Sequence, residues 1–236
     1  RDHLNSKELT MDTLFEAMDT NKDGFVDKAE FVEFLEKSCG SDFGPEKLGR
    51  FFIQMDAACE SKGRMTQQDV IRLLKIFNKV VDSTVITEGL SIKDTKVLRR
   101  LQVGEVIEVY EGPRHESSAG VKRVRGKAVN DNIVGWITVA GNQGTKYLEE
   151  GGNIYKVVMD TDLEPDPAEE EAAKASGIRR GLRRLKKGEL LEVSSWEKKT
   201  VDSKTVMRVR CRAKDDGATG WADTVDAKGA VRLEIV

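Results

Sequence analysis

Apolar residues in the first third of the chain recur every three or four positions, which is the spacing of amphipathic helices. The pattern predicts four short helices: one over about Ser6–Met18, one after Asp27, one that begins at Pro45 and one that is capped by Thr66. Asp69, three residues after Thr66, would complete a capping box. Helices this short are marginal alone, so we expect their apolar stripes to form a common core, with a partner-binding groove as the alternative. The stripe of the third helix comprises Leu48, Phe51, Phe52 and Met55.

The rest of the chain alternates apolar and polar residues in short stretches that end at Gly, Asn or Asp turns, a pattern that predicts β-strands. It also contains an internal repeat, because residues 97–109 align with 181–193 and residues 121–136 align with 206–221. Both copies share a Leu-Arg-Arg-Leu stretch and a Gly-Trp pair. Such a repeat predicts two copies of one small β fold.

The second copy carries two motifs, LRRLKKGELLEV at 182–193 and MRVRCRAKDDGATGW at 207–221. Both motifs are similar to those of bacterial-type SH3 (SH3b) domains, and the resemblance covers residues 85–158 and 178–236. It implies that each copy is an SH3-like barrel that serves as a protein-interaction module. The expected fold class is therefore α+β and multi-domain, with an all-α region followed by two small all-β barrels.

The segment from Asp19 to Glu30 has the residue spacing of a calcium-binding loop. Calcium is a hard cation that takes about six to eight oxygen ligands, and Gly24 permits the sharp turn that brings them together. The loop and its flanking helices resemble an EF-hand, which implies bound Ca²⁺, and Mg²⁺ can use the same oxygens. The predicted metal ligands are the side chains of Asp19, Asn21, Asp23, Asp27 and Glu30 and the backbone carbonyl of Phe25.

EF-hands normally occur in pairs, and residues 58–69 are the expected second loop. Met65 lies at its apolar position and is predicted to pair with Val26. Its ligand positions are poor, because Ala58 offers no side-chain oxygen and Lys62 introduces a positive charge. We therefore predict a structural second loop that does not bind metal.

Charge is unevenly distributed: Asp160–Glu171 is strongly acidic, whereas Ile178–Arg212 is rich in Arg and Lys. We expect these two stretches to attract each other within the chain, with a basic docking face for a partner as the alternative. Asp166-Pro167 and Gly177 predict a short helix between them. The predicted domains are an EF-hand pair at 1–82, a first barrel repeat at 83–158, an acidic linker with that helix at 159–177 and a second barrel repeat at 178–236.

The combined motifs favour a binding protein over an enzyme. We expect a calcium-binding adaptor or scaffold whose partners are other proteins, and the alternative is a structural subunit of a large multi-subunit assembly with constitutively bound calcium. Nucleic-acid binding through the basic strands 179–187 and 208–212 is less favoured, because aromatic residues for base stacking make up 6% of the chain. His3 and His115 have no neighbouring nucleophile motif, so no enzymatic activity is expected.

Cysteine usage and hydropathy bear on the compartment. Cys39, Cys59 and Cys211 show no paired spacing, which favours a reducing intracellular compartment. The cytosol fits, as does an organelle interior after removal of a leader, since the first residue is Arg1. No apolar run reaches about 18 residues, so we expect no membrane-spanning helix.

Overall fold

A computed structural model describes residues 11–39, 43–56, 59, 62–165, 183–201, 204–226 and 228–236. Contacts divide the chain into two compact units, Arg1–Ile76 and Phe77–Val236. The described part of the first unit is mainly helical and that of the second consists of β-strands. None of the described helices has the length and apolar character that a membrane crossing requires.

The first unit contains two helix–loop–helix hands. Its elements are α1 (Met11–Met18), β1 (Phe25–Asp27), α2 (Lys28–Cys39), α3 (Pro45–Asp56), β2 (Arg64–Thr66) and α4 (Gln67–Leu74). The four predicted helices are confirmed, although residues 6–10 of the first lie outside the described residues. Strands β1 and β2 pair antiparallel and join the two loops, with Val26 opposite Met65 as predicted.

Side chains from all four helices pack into one core, which confirms the core interpretation of the apolar stripes. The rings of Phe31 and Phe52 contact each other with 5.5 Å between centroids. The prediction for Phe51 is wrong, because its side chain is 60% exposed. Leu48 and Phe52, one turn apart, occupy the buried face of α3, and Phe51 lies outside it. The buried core residues are Leu14, Phe15, Met18, Val26, Phe31, Phe52, Cys59, Met65 and Val70.

The second unit consists of two copies of one strand pattern. The first copy contains β3 (Ile76–Val80), β4 (Thr84–Thr87), β5 (Val97–Leu101), β6 (Val106–Glu116), β7 (Val121–Ala128), β8 (Val134–Ala140) and β9 (Leu148–Glu150). The second contains β10 (Ile154–Val157), β11 (Thr161–Leu163), β12 (Arg183–Leu185), β13 (Leu190–Val201), β14 (Lys204–Ala213), β15 (Thr219–Asp223) and β16 (Leu233–Ile235).

The strand order is the same in both copies. The first copy is a seven-stranded sheet in the order β5-β4-β8-β7-β6-β3-β9. The second has a five-stranded sheet, β15-β14-β13-β10-β16, and a pair, β11-β12, and a bridge between Glu164 and Trp221 connects the two. Read through that bridge, the order is β12-β11-β15-β14-β13-β10-β16, so the sequence repeat is also a structural repeat. The ladders of the described strands leave each sheet open, and the closed barrels implied by the SH3 resemblance are not confirmed.

The limits of the copies differ from the predicted ranges. Strand β3 precedes residue 83 yet pairs with β9 of the first sheet, and β10 precedes residue 159 yet pairs with β13 and β16 of the second. The backbone N–H of Val80 donates to Glu105 O and that of Val157 donates to Glu189 O, at 2.8 and 2.9 Å. Strand β11 pairs with β12, so the second copy includes the start of the predicted acidic linker 159–177. Its predicted helix lies outside the described residues, and the division into separate domains stays a prediction.

A charged network recurs in the two copies, which explains why the same acidic turn residue follows β7 and β14. In each copy an Arg on β5 or β12 binds two acidic residues. One is the Glu just before the next strand, β6 or β13, and the other is the Asp in the turn after β7 or β14. The pairs are Arg99 with Glu105 (2.7 Å) and Asp131 (2.5 Å), and Arg183 with Glu189 (2.7 Å) and Asp216 (2.6 Å). The hydrogen bond from Arg183 lowers the pKa of Asp216, so this carboxylate is ionised and structural at neutral pH.

Trp196 of the second copy contacts equivalent strands of both copies. Its ring packs edge-on against Phe77, with 5.2 Å between centroids, and its indole Nε1–H donates to the Tyr155 hydroxyl at 3.0 Å. Phe77 lies on β3 and Tyr155 on the equivalent strand β10, one position out of register, because Val80 corresponds to Val157 and therefore Asn78 to Tyr155. Phe77 also belongs to a small core with Val106 and Val129 against which Trp196 packs. The two copies therefore share buried surface within one compact unit.

Replacing Trp196 tests this shared core. We expect Trp196→Ala to lower the free energy of unfolding of the second unit by roughly 2–4 kcal/mol, because it removes an aromatic pair and leaves a cavity. Trp196→Phe keeps a ring but loses the hydrogen bond to Tyr155, so we expect a loss of about 1 kcal/mol. Urea unfolding followed by circular dichroism measures both. Equal stability of Trp196→Ala and the wild type would contradict the shared core.

Candidate metal centre

The first loop turns sharply between α1 and α2. Lys22 and Gly24 both have left-handed backbone conformations, with φ of 59° and 84°. An added Cβ at Gly24 would meet no atom within 4 Å, so the backbone conformation and not crowding favours glycine there. The turn folds the chain back so that β1 can reach β2.

Side-chain oxygens in the first half of the loop bind the loop's own amides. Asp19 accepts hydrogen bonds from the N–H of Asp23 at Oδ1 (3.2 Å) and of Gly24 at Oδ2 (3.0 Å). Asn21 Oδ1 accepts from the N–H of Asp23 (2.8 Å), and Asp23 Oδ1 accepts from that of Phe25 (2.9 Å). These bonds wind the backbone around the carboxylate of Asp19.

Glu30 connects the end of the loop to its beginning. Its Oε1 accepts hydrogen bonds from the N–H and the hydroxyl of Thr20 and from the N–H of Asn21, at 3.1, 3.2 and 3.2 Å. Its Oε2 accepts from the N–H of Asp27 (3.0 Å), and Asp27 Oδ1 accepts from the N–H of Glu30 (2.9 Å). The reciprocal pair between Asp27 and Glu30 is a capping arrangement that starts α2.

Burial is concentrated on the first and last predicted ligands. Asp19 and Glu30 are each 7% exposed, whereas Asn21, Asp23 and Asp27 are exposed. Among the described residues, neither Asp19 nor Glu30 forms an ion pair with Lys or Arg. Two buried carboxylates without a cation are costly. Carboxylate oxygens are the ligands that a hard divalent ion such as Ca²⁺ prefers.

The predicted ligands all belong to one loop, but their side chains are not arranged around a common point as in a metal site. In the described part of the chain, no group of three or more His, Cys, Asp or Glu side chains is arranged to hold a metal. The carboxylate of Glu30 instead binds amides at the start of the loop. The assignment of the six ligands therefore stays a prediction from spacing, supported by the donor chemistry and by the burial of Asp19 and Glu30.

The second loop begins earlier than predicted. Asp56 Oδ1 accepts a hydrogen bond from the N–H of Gly63 at 2.8 Å, as Asp19 does from Gly24. Gly63 has φ of 83°, nearly the value of Gly24. The assignment of Ala58 to the first position is therefore wrong, because the loop is two residues longer than the first and starts at Asp56. The capping box between Thr66 and Asp69 is confirmed.

Comparison with known families agrees with this geometry. The family described as EF hand matches residues 11–35, which span α1, the first loop and most of α2. The match covers a small part of the chain, and it indicates a cation-binding loop there. A comparison with curated proteins found no match.

The basic strands of the second copy bind acidic residues of the same chain, as predicted. Each of three acidic residues around β11 binds a basic residue on β12, β14 or the turn after β12. The pairs are Asp160 with Lys186 (3.1 Å), Asp162 with Arg184 (3.2 Å) and Glu164 with Arg208 (2.8 Å). These pairs neutralise part of the basic surface on which nucleic-acid binding would depend.

The described thiols have the character of core residues. Burial, and then the nearby Asp69 carboxylate, raise the pKa of Cys59 to about 11. Burial raises the pKa of Cys211 to about 12. A thiol with so high a pKa is almost fully protonated at neutral pH and is a poor nucleophile. The absence of enzymatic activity nevertheless stays a prediction.

One cation from the second loop approaches the first. Arg64 lies opposite Asp27 in the β1–β2 ribbon, and its guanidinium stacks 4.0 Å from the centroid of the Phe25 ring. Both Asp27 and Phe25 are predicted ligands. A positive charge beside two predicted ligands opposes the binding of a divalent cation.

Removing this charge is expected to strengthen calcium binding. Arg64→Gln should raise the affinity by roughly two- to fivefold at low salt, because it removes a like charge from the edge of the site. The gain should shrink as salt increases, since exposed charges are screened. Isothermal titration calorimetry at two salt concentrations measures both effects, with Arg50→Gln on α3 as the control. A weaker affinity in Arg64→Gln would mean that Arg64 acts on the site through packing.

Proposed function

We propose that this chain is a calcium-binding adaptor or scaffold in which the loop Asp19–Glu30 holds one Ca²⁺. The observation that carries the proposal is the burial of Asp19 and Glu30, both 7% exposed, at the two ends of a loop that matches the EF-hand family. A divalent cation would supply the positive charge that these carboxylates lack. Mg²⁺ is the competing ion, since its ligands are also oxygens.

Each predicted ligand has a distinct role in this proposal. Asp19, Asn21 and Asp23 would provide side-chain oxygens from the turn, and Phe25 would provide its backbone carbonyl. Asp27 caps α2 and would act on the ion through water. Glu30 would provide both carboxylate oxygens, which requires it to give up its bonds to Thr20 and Asn21. Ion binding and a change in loop hydrogen bonding are thereby linked.

Two surfaces support a role in binding other proteins. Phe43, just before α3, and Phe51 on α3 are 53% and 60% exposed and line the same pocket. Exposed apolar residues close together are typical of interaction sites. The second unit offers two copies of one β fold with a shared core, which suits a fixed platform for partners.

The alternative is a structural subunit with permanently bound calcium. The β1–β2 ribbon favours this alternative, because it pairs the first loop with the second loop. The second loop is held by its own capping box, which does not involve the ion. The affinity for calcium separates the two roles. A dissociation constant of about 10⁻⁷–10⁻⁵ M is the range of sensors, and a value outside it favours a structural ion.

The metal assignment is tested by replacing the last ligand. We expect Glu30→Gln to weaken calcium binding at least tenfold, which is about 1.4 kcal/mol, because it removes a bidentate carboxylate. Glu36→Gln is the matched control: it makes the same charge change at an exposed position on the same helix and should bind like the wild type. Calorimetry gives both affinities. Equal affinities for the two variants would show that the ion binds elsewhere.

A further inference from the structure

We infer that Arg72 supplies in the second loop the positive charge that a bound cation would supply in the first. The inference starts from the matching hydrogen bonds of the two loops. In each loop an Asp accepts from a left-handed Gly, and a capping residue exchanges bonds with an acid three positions later. The equivalent pairs are Asp19 with Asp56, Gly24 with Gly63, Asp27 with Thr66 and Glu30 with Asp69.

Both carboxylate oxygens of Asp69, the last acidic residue of the second loop, accept hydrogen bonds. Asp69 is 9% exposed, and its Oδ2 accepts from the N–H and the hydroxyl of Thr66 at 3.2 and 2.7 Å. Its Oδ1 accepts from Arg72 Nη2 at 3.2 Å. The Arg72 and Asp69 side chains are only 15% and 12% exposed. This ion pair is much more sheltered than the α3 pair Arg50–Glu46, whose side chains are 75% and 81% exposed.

The first loop has no such cation at the equivalent place. Arg72 lies three residues after Asp69, and the residue three after Glu30 is Glu33. Glu33 is exposed and binds Lys37 at 2.5 Å. One hand thus carries an acid where the other carries a guanidinium, which remains protonated at any physiological pH. The buried acid of the first loop needs an external cation, whereas that of the second loop has an internal one.

This difference predicts that the two loops depend differently on metal. The second loop keeps its shape with or without metal, because its counter-charge is covalently attached. Through the pairing of Val26 with Met65 it provides a fixed edge for the first loop. The conclusion about the second loop does not depend on metal binding, whereas its consequence for the first loop rests on the proposed function.

A double-mutant cycle in the full chain with excess chelator tests the inference without metal. Arg72→Gln should lower the melting temperature of the helical unit, followed by circular dichroism at 222 nm, by roughly 4–8 °C, because it leaves Asp69 buried and unpaired. Arg72→Gln combined with Asp69→Asn should lose clearly less than the sum of the two single variants. Arg72→Lys, which keeps the charge, should lie nearer the wild type than Arg72→Gln. Additive losses, or an effect no larger than that of Arg50→Gln, would overturn the inference.

A second test introduces an equivalent arginine into the first helix–loop–helix motif. Glu33→Arg places a guanidinium three residues after Glu30, and we expect it to raise the melting temperature in chelator by a few degrees. It should also weaken calcium binding at least tenfold. Glu36→Arg makes the same charge change one turn away and should raise the melting temperature less. An unchanged or lower melting temperature of Glu33→Arg would overturn the inference. A wild type that binds no calcium would overturn only the proposed function.

Discussion

The burial of two carboxylates at the ends of one short loop is the constraint on which the first unit depends. Asp19 draws in the amides of the turn and Glu30 returns to the loop's beginning, so the same groups that shape the backbone carry its unbalanced charge. Water would stabilise that charge in an open loop, but the fold removes most of that water. In the proposed function, a bound divalent ion would resolve this conflict.

The two hands meet this constraint in different ways. The second loop neutralises Asp69 with Arg72, whereas Glu30 of the first loop accepts hydrogen bonds from Thr20, Asn21 and Asp27 and has no ion pair with Lys or Arg among the described residues. In the proposed function, pairing of an ion-independent loop with an ion-dependent one would let the ribbon hold the second loop in place while the first responds to calcium. The β unit adds a pair of repeats in which Trp196 contacts both Phe77 and Tyr155.

The sequence predicts the features that are encoded by spacing. The helices, the cap at Thr66 and the ribbon pair of Val26 and Met65 follow from period and motif, and the structure agrees. The start of the second loop could not be predicted in this way. A loop of twelve residues that ends at Asp69 would start at Ala58, but this loop has two additional residues and starts at Asp56. Strands β3 and β10 escape the repeat alignment because they are short and differ by one residue in length. Barrel closure depends on how sheet edges meet, which no local pattern encodes.

The most direct measurement is the number of calcium ions that the whole chain binds. Calorimetric titration of the wild type, first stripped of metal with chelator, gives this number and the enthalpy together. A first loop with uncompensated carboxylates and a second loop neutralised by Arg72 predict one ion per chain. Binding of two ions per chain would contradict the inference that Arg72 takes the place of a cation in the second loop. No binding at millimolar calcium would contradict the central claim that Asp19 and Glu30 are buried for an ion.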